Sequence, residues 1–378
     1  MKKILSVMVT VSLLLMCFPV SVYAASPDEI TAPSAILVEA ESGKILYEKN
    51  AHEIRACASI TKVMTMILVM EALENGKLHM EDMLSASQHA ASMGGSDIWL
   101  KEGEVMSVHD LIKATMVASA NDAAVVLAED ICGSEDAFVE KMNEKAKSLG
   151  MKETVFKNCN GLDEEGHLTS AYDVSLMSRE LIRHKEIFEF TSIWLDYLRG
   201  GKTQIVNTNK LLKTYNGITG LKTGTTSQAG SCITATAQRE DLNLVAVVLG
   251  SASGKERFTD AAALLDYGFA NYCRYIPEFH EDIPAIKVTR GMQSELKVTA
   301  NISGSCVIEK GKNKEITYKL NVKEEVQAPV NKGDKVGTLT FYSGKEVLKE
   351  YPIVAQHIVD EMTFSAILSV LFAYFVQI

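Results

Sequence analysis

Apolar positions change period several times along this chain, and the changes mark its elements. Ser34–Tyr47 (SAILVEAESGKILY) reads as two β-rich runs around Glu41-Ser42-Gly43, a hairpin turn with glycine where a positive φ is needed. From Ser59 to about Leu73 the spacing becomes helical and nearly apolar all round, which predicts a buried helix. Ser107-Val-His-Asp110 has the form of a capping box and opens a helix to about Ala118. Helical spacing continues through Ala123–Ile131 and Ala137–Leu149. The latter opens at Ser134, stops at Gly150 and puts Phe138, Met142 and Leu149 on one face. Strand patterning returns at Ser231–Arg239 and Leu242–Gly250, read as paired central strands, and a helix follows over Glu256–Tyr267. Strands, a helical insert, then strands and a helix predict an α/β sandwich with a helical subdomain. Beyond Tyr275-Ile276-Pro277, runs such as LKVTA, CVIEK, EITYKLNV and TLTFYS alternate with Gly/Asn/Lys turns to about Val354, which predicts a small all-β domain.

Both ends depart from this patterning. Lys2 and Lys3 precede an apolar run over Ile4–Phe18, and Val22-Tyr23-Ala24 offers small residues for cleavage, so residues 1–24 read as a secretory signal. Met16 before Cys17 is too large for a lipoprotein cleavage site. At the other end, Met362–Ile378 carries no charge, and Ser365, Ser369 and Ala373 recur every fourth residue on an otherwise apolar helix. A spanning helix needs about 20 apolar residues. This tail is therefore read as an anchor lying in or dipping into the outer leaflet, within a 357–378 segment that follows a 276–356 β domain. The α/β domain, over 25–275, precedes them.

Charge and composition narrow the function classes. The chain has 378 residues, 47% hydrophobic and 23% charged, the balance of a folded globular protein. Lys+Arg 38 against Asp+Glu 48 gives −10, and loss of Lys2 and Lys3 with the signal leaves 36 against 48, or −12. A sequence-wide affinity for nucleic acid is excluded by that sign. Of the 7 cysteines, Cys17 leaves with the signal. The other six (Cys57, Cys132, Cys159, Cys232, Cys273 and Cys306) are read as mostly free thiols, since a protein this size folds without staples. Cys57, two residues before Ser59, is read as packed rather than reactive. No histidine falls in an HExxH or beside a Cys-x-x-Cys, so neither a metal nor another cofactor is expected.

Three short motifs carry candidate chemistry. Ser59-Ile-Thr-Lys62 places a hydroxyl and an amine on one face of a helix start, so Lys62 can reach Ser59 Oγ. A buried lysine beside a second cation loses proton affinity and can serve as the base that a serine nucleophile requires. Alone the spacing decides little, because Ser59 could simply cap a helix and Ser294-Glu-Leu-Lys297 fits it too; the latter is assigned to a solvated β-domain strand. Ser119-Ala-Asn121 closes the helix that starts at Ser107, and Lys222-Thr-Gly224 follows Asn216-Gly-Ile-Thr-Gly220. Taken singly, these are a helix end and an edge turn. In the order SxxK, SxN, KTG around an all-helical segment, coincidence becomes improbable.

That order resembles the serine penicillin-recognising acyl transferases. The stretches ASITKVMT, GGSDIWLKEGEVMSVHDL, SANDAA, NCNGLDEEGHLTSAYD and GLKTGTTSQAGSCITATA are similar to the D-alanyl-D-alanine carboxypeptidases among the low-molecular-mass penicillin-binding proteins. Ala120, where Gly or Asp is commoner, is a small departure. The resemblance implies a β-lactamase/transpeptidase-like α/β domain, and it implies a role for each matching residue. Ser59 attacks the carbonyl between two D-alanines and Lys62 takes its proton. The backbone N–H groups of Ser59 and Thr225 form the oxyanion hole. Ser119 and Lys222 relay a proton to the departing amine, and Asn121 holds Lys62 and the substrate amide. Lys222, Thr223, Gly224 and Thr225 line the substrate, with Lys222 and Thr223 facing its carboxylate; Arg257 is similar to the family's carboxylate-binding arginine. Implied partners are the peptidoglycan stem peptide ending in D-Ala-D-Ala, β-lactams as covalent inhibitors, and the outer face of the cytoplasmic membrane.

Rival readings remain at this point. A serine β-lactamase of the penicillinase type would carry Glu-x-x-Leu-Asn between Asn121 and Lys222, and no such string occurs there. A non-catalytic penicillin-binding sensor would keep the fold, and a transpeptidase would trap the same acyl-enzyme with an amine.

Overall fold

The computed structural model describes residues 30–376. The expected signal over residues 1–24 lies outside the described residues. By compactness the chain divides into one unit comprising the chain to Val38, Ile45–Ala237 and Leu244–Ala270, and another comprising Glu39–Lys44, Gln238–Asn243 and Asn271 onward.

In the first unit the apolar runs pair into a five-stranded sheet. Its strands are β1 (Ser34–Glu39), β2 (Ile45–Lys49), β3 (Ile218–Thr226), β4 (Gly230–Arg239) and β5 (Leu242–Ser251), in spatial order β2-β1-β5-β4-β3. β3 and β4 pair antiparallel, with Lys222 opposite Thr234 and Gly224 opposite Cys232. The expected hairpin and the two central strands are present; the pattern had not marked β3, because its GLKTGTT core holds a single large apolar residue. The helices of six or more residues in this unit are α1 (Lys62–Glu74), α2 (Val108–Lys113), α3 (Asn121–Cys132), α4 (Glu135–Ser148), α5 (Ala171–Leu181) and α6 (Gly254–Asn271).

Burial explains α1. Val63, Met64, Met66 and Ile67 are inaccessible, each contributing roughly 1.5–3 kcal/mol relative to exposure, and the helix packs on α3, α4 and α5. A 3₁₀ turn over Ala58–Thr61 feeds it, so the predicted start at Ser59 falls inside that turn. The helix opened by the Ser107 cap changes its winding: α2 gives way to a π-helical turn over Ala114–Ala118. α4 begins after Ser134, whose hydroxyl accepts from the Ala137 N–H, with Phe138 and Met142 buried. Asp260 in α6 accepts from the backbone N–H groups of Thr31 and Ala32, tying the start of β1 to that helix.

The second unit is mainly β. Ile286–Thr289 pairs antiparallel with Glu295–Leu296 and parallel with Glu325–Gln327. A four-stranded sheet runs Val298–Ala300, Glu346–Ala355, Lys335–Ser343, Ile316–Val322. Leu296, Leu339, Phe341 and Ile353 centre its core. Ser294 and Lys297, the second SxxK, are exposed there. The chain ends in α7 (Phe364–Val376), and among the described residues no helix is long and apolar enough to cross a membrane. The fold is thus α/β with a helical subdomain, followed by a small all-β domain and an apolar helix.

Candidate active site

The 3₁₀ turn and α1 together place Lys62 Nζ 3.1 Å from Ser59 Oγ. The same nitrogen donates to Asn121 Oδ1 at 2.5 Å and to the Asn160 carbonyl at 2.6 Å. Both of those partners only accept, so a neutral Lys62 gives each one N–H and keeps its lone pair for the Ser59 hydroxyl. Burial makes that neutral form accessible, lowering Lys62 to about 7 against the opposing influence of Cys159 and Asp122. Asn121 is oriented by its own amide, which donates to the Gly94 carbonyl at 2.6 Å.

Backbone, not side chains, closes around Ser59. Ala58 has φ +50, a region costly for a residue with a Cβ. Two glycines fit against the Ala58–Ser59 peptide. A Cβ on Gly161 (φ +87) would lie 2.0 Å from the Ala58 carbonyl oxygen, and one on Gly224 would lie 2.6 Å from that of Cys57. Either Cβ would also sit 2.9 Å from the Ser59 nitrogen. Only glycine permits this double approach.

Ser119 ends the π turn in a left-handed conformation (φ 63) and is buried. Its Oγ accepts from Lys222 Nζ at 2.8 Å; Lys222 also donates to the Thr223 carbonyl at 3.0 Å. Burial, then the positive charges of Lys62 and Arg257, push Lys222 well below the usual lysine range. Asp122, next to Asn121, accepts from the N–H groups of Ile98 and Leu100 and so pins the GGSDIWL segment to the start of α3.

β3 carries the remaining candidates. Thr223 Oγ1 donates to Thr208 Oγ1 at 2.6 Å. Arg257 Nη1 donates at 2.8 Å to both the Gly224 carbonyl and Thr225 Oγ1, and its Nε is buried without a hydrogen-bond partner. Lys222 thus lies within electrostatic reach of both Lys62 and Arg257.

The structure brings Ser59, Lys62 and Asn121 together, then Ser119 with Lys222, then Gly224 and Thr225 with Arg257. Asn160, Gly161, Asp122 and Thr208 were not singled out from the sequence. Asn160 acts through its carbonyl and Gly161 through a missing Cβ, so side-chain chemistry gives no signal; the Asn-Gly turn dipeptide was the available one. Cys57 is buried and its thiol is pushed up to about 12 by that burial. All six described cysteines are free thiols. Elsewhere Glu71, Glu180 and His184 offer ligand atoms to a cation, but Lys145 Nζ occupies the cluster, 2.6 Å from Glu71 and 2.9 Å from Glu180.

Known proteins share this architecture. A family model described as D-alanyl-D-alanine carboxypeptidase matches residues 21–253, and one for the C-terminal domain of penicillin-binding protein 5 matches 281–361. The D-alanyl-D-alanine carboxypeptidase DacF of Bacillus subtilis is 42% identical over 367 residues, 94% of each chain. DacC of Escherichia coli, a D-alanyl-D-alanine carboxypeptidase, is 34% identical over 371 residues, covering 90% of this chain and 88% of its own. Penicillin-binding protein 5 from Haemophilus influenzae superposes with a TM-score of 0.80 at 31% identity, over 89% of this chain and 100% of that one. Ampicillin-bound penicillin-binding protein D2 from Listeria monocytogenes aligns with 64% of this chain and 98% of its own, with a TM-score of 0.59 and 34% identity. By the extent of these matches, the chain belongs to the D-alanyl-D-alanine carboxypeptidase family of penicillin-binding proteins.

Proposed function

We propose that this protein removes the terminal D-alanine from peptidoglycan stem peptides through an acyl-enzyme on Ser59. The supporting observation is the lysine at the nucleophile: Lys62 Nζ lies 3.1 Å from Ser59 Oγ, with its other two partners both acceptors. Ser59 Oγ attacks the penultimate D-Ala carbonyl while Lys62 takes the hydroxyl proton. Negative charge on the carbonyl oxygen is met by the Ser59 and Thr225 N–H groups, donors of a kind worth roughly 3–4 kcal/mol each. The C–N bond then breaks, and the leaving amine receives a proton from the Ser119 hydroxyl, which Lys222 resupplies. Exchange with solvent then removes the proton from Lys62 and returns one to Lys222; water, deprotonated at the neutral Lys62, attacks the ester, and Lys62 hands that proton back to Ser59 Oγ as the acyl group leaves. A β-lactam amide enters by the same attack.

Substrate preference follows from charge. Burial holds down both Lys222 and Arg257, and the charges of Lys62 and Arg257 lower Lys222 further, so a carboxylate placed at Thr223 and Thr225 relieves an unfavourable cluster. That is the chemistry of a peptide with a free C-terminus.

For location we propose export by the residue 1–24 signal and attachment at the outer membrane face through α7. This helix has 13 residues, about 20 Å of length at 1.5 Å each, short of a hydrocarbon core of about 30 Å. Phe364 is 80% and Phe372 71% exposed, which suits a helix lying in the interface.

The assay is free D-alanine released from a pentapeptide ending in D-Ala-D-Ala. Release by wild type and none by Ser59→Ala is the expected result. Penicillin labelling without release would favour a sensor, and rapid nitrocefin turnover without release a β-lactamase.

A further inference from the structure

Behind the nucleophile turn lies a buried hydrogen-bond chain that the mechanism above does not use. His167 is 4% exposed, and its Nε2 is 2.7 Å from Thr61 Oγ1. The Lys157 backbone N–H donates to His167 Nδ1 at 3.1 Å. Nδ1 is therefore the acceptor nitrogen, and the neutral ring carries its proton on Nε2. That N–H is given to Thr61 Oγ1. The Thr61 hydroxyl, accepting from His167, has its single hydrogen for the Ala58 carbonyl, 2.9 Å away. Cys57 Sγ lies 3.5 Å from Thr61 Oγ1 and 3.7 Å from the Ala58 carbonyl oxygen, so its thiol hydrogen has an acceptor in either. Every member of the chain is satisfied with one allocation of protons.

The chain ends at the residue that most needs holding. Ala58 adopts φ +50 immediately before Ser59, and its carbonyl is the atom that Gly161 approaches from the loop also carrying His167. The Val155–Leu168 bridge closes that loop, and the Arg55–Thr169 bridge fastens it to the segment entering the nucleophile turn. Phe156 packs edge-on to the imidazole at 5.8 Å.

We propose that His167 is a positioning residue for the acyl-transfer reaction, acting through Thr61 to lock the Ala58 carbonyl and so aim Ser59 Oγ. Burial keeps the ring neutral, lowering it to about 4 against the nearby Asp163 carboxylate. The arrangement is thus one of fixed donor and acceptor rather than of charge. It rests on the reading of Ser59 as nucleophile.

The test compares Thr61→Val, His167→Leu, their double variant and His167→Gln in the full chain. Stopped-flow labelling with a fluorescent penicillin separates the acylation rate constant from the dissociation constant of the non-covalent complex, and melting temperature is followed in parallel. Losing one positioning hydrogen bond should slow acylation by up to about tenfold without changing the dissociation constant. The double variant should be no slower than the slower single, because both cut one chain. His167→Gln, whose amide N–H reaches the Nε2 position, should recover to within about threefold of wild type. Multiplicative losses in the double, acylation at the wild-type rate in Thr61→Val, or a glutamine variant as slow as the leucine one would each overturn the proposal. So would a fall in melting temperature with acylation unchanged. If His167→Leu does not fold, the isosteric Thr61→Val and His167→Gln decide the matter by the same criteria. Labelling of Ser59→Ala would instead overturn the nucleophile assignment itself.

Discussion

Gly161 lies so close to Ala58 that a Cβ on it would stand 2.0 Å from the Ala58 carbonyl oxygen. The contact joins a loop roughly a hundred residues downstream to the turn that presents Ser59. No rotamer change relieves it, since both partners are backbone.

Gly161→Ala should therefore displace the Ser59 turn. A misplacement of about 1 Å costs on the order of 100-fold in rate, so acylation by a fluorescent penicillin should fall by about that factor. The strained φ +87 adds to the loss. Wild-type labelling by this variant would show that Gly161 does not set the position of the Ser59 turn.

Lys62 must be unprotonated to accept the Ser59 proton. With its folded value lowered to about 7, acylation should rise about tenfold per pH unit below that point and level off above it. Lys62→Arg, permanently charged, should lose the pH dependence together with about 10²–10⁴ of rate. A profile flat from pH 5 to 9 in the wild type would show that another group takes the proton.

Arg257 donates to the Gly224 carbonyl and Thr225 Oγ1, so it both supports β3 and faces the proposed carboxylate position. The two roles separate by substrate. Arg257→Lys should lower kcat/KM for a free-acid peptide by roughly 10–100-fold, the worth of a charged hydrogen bond, and much less for the C-terminal amide. Equal losses on both substrates would leave only the support of the strand.

Removing residues 362–378 should leave D-alanine release from a soluble peptide within about twofold of the full chain and abolish flotation with lipid vesicles, because apolar burial is the source of interfacial binding. Vesicle binding that survives the truncation would assign attachment to another surface.

Much of the fold was legible because it rests on local rules. Glycine at the hairpin turn, serine caps at Ser107 and Ser134, and the apolar girth of Lys62–Glu74 each act over a few residues. The Ser59–Lys62 contact follows from one helical turn, and the second SxxK proved exposed, as its polar surroundings suggested. Strand β3 escaped because glycine and threonine positions replace the usual alternation, and α6 runs further in both directions than its apolar core implied.

By itself, then, the sequence determined which chemical groups are available and the local geometry that sets a lysine one turn from a serine. Only the tertiary structure decided how those groups are primed. Lys62 owes its lowered proton affinity to complete burial, and Asn121 reaches it from 59 positions along the chain. Lys222 meets Ser119 across 103 positions. The contacts of Asn160 and Gly161 are made by a carbonyl and an absent side chain, features that residue type does not encode. Desolvation and close backbone approach are properties of packing, and packing exists only once distant segments have met.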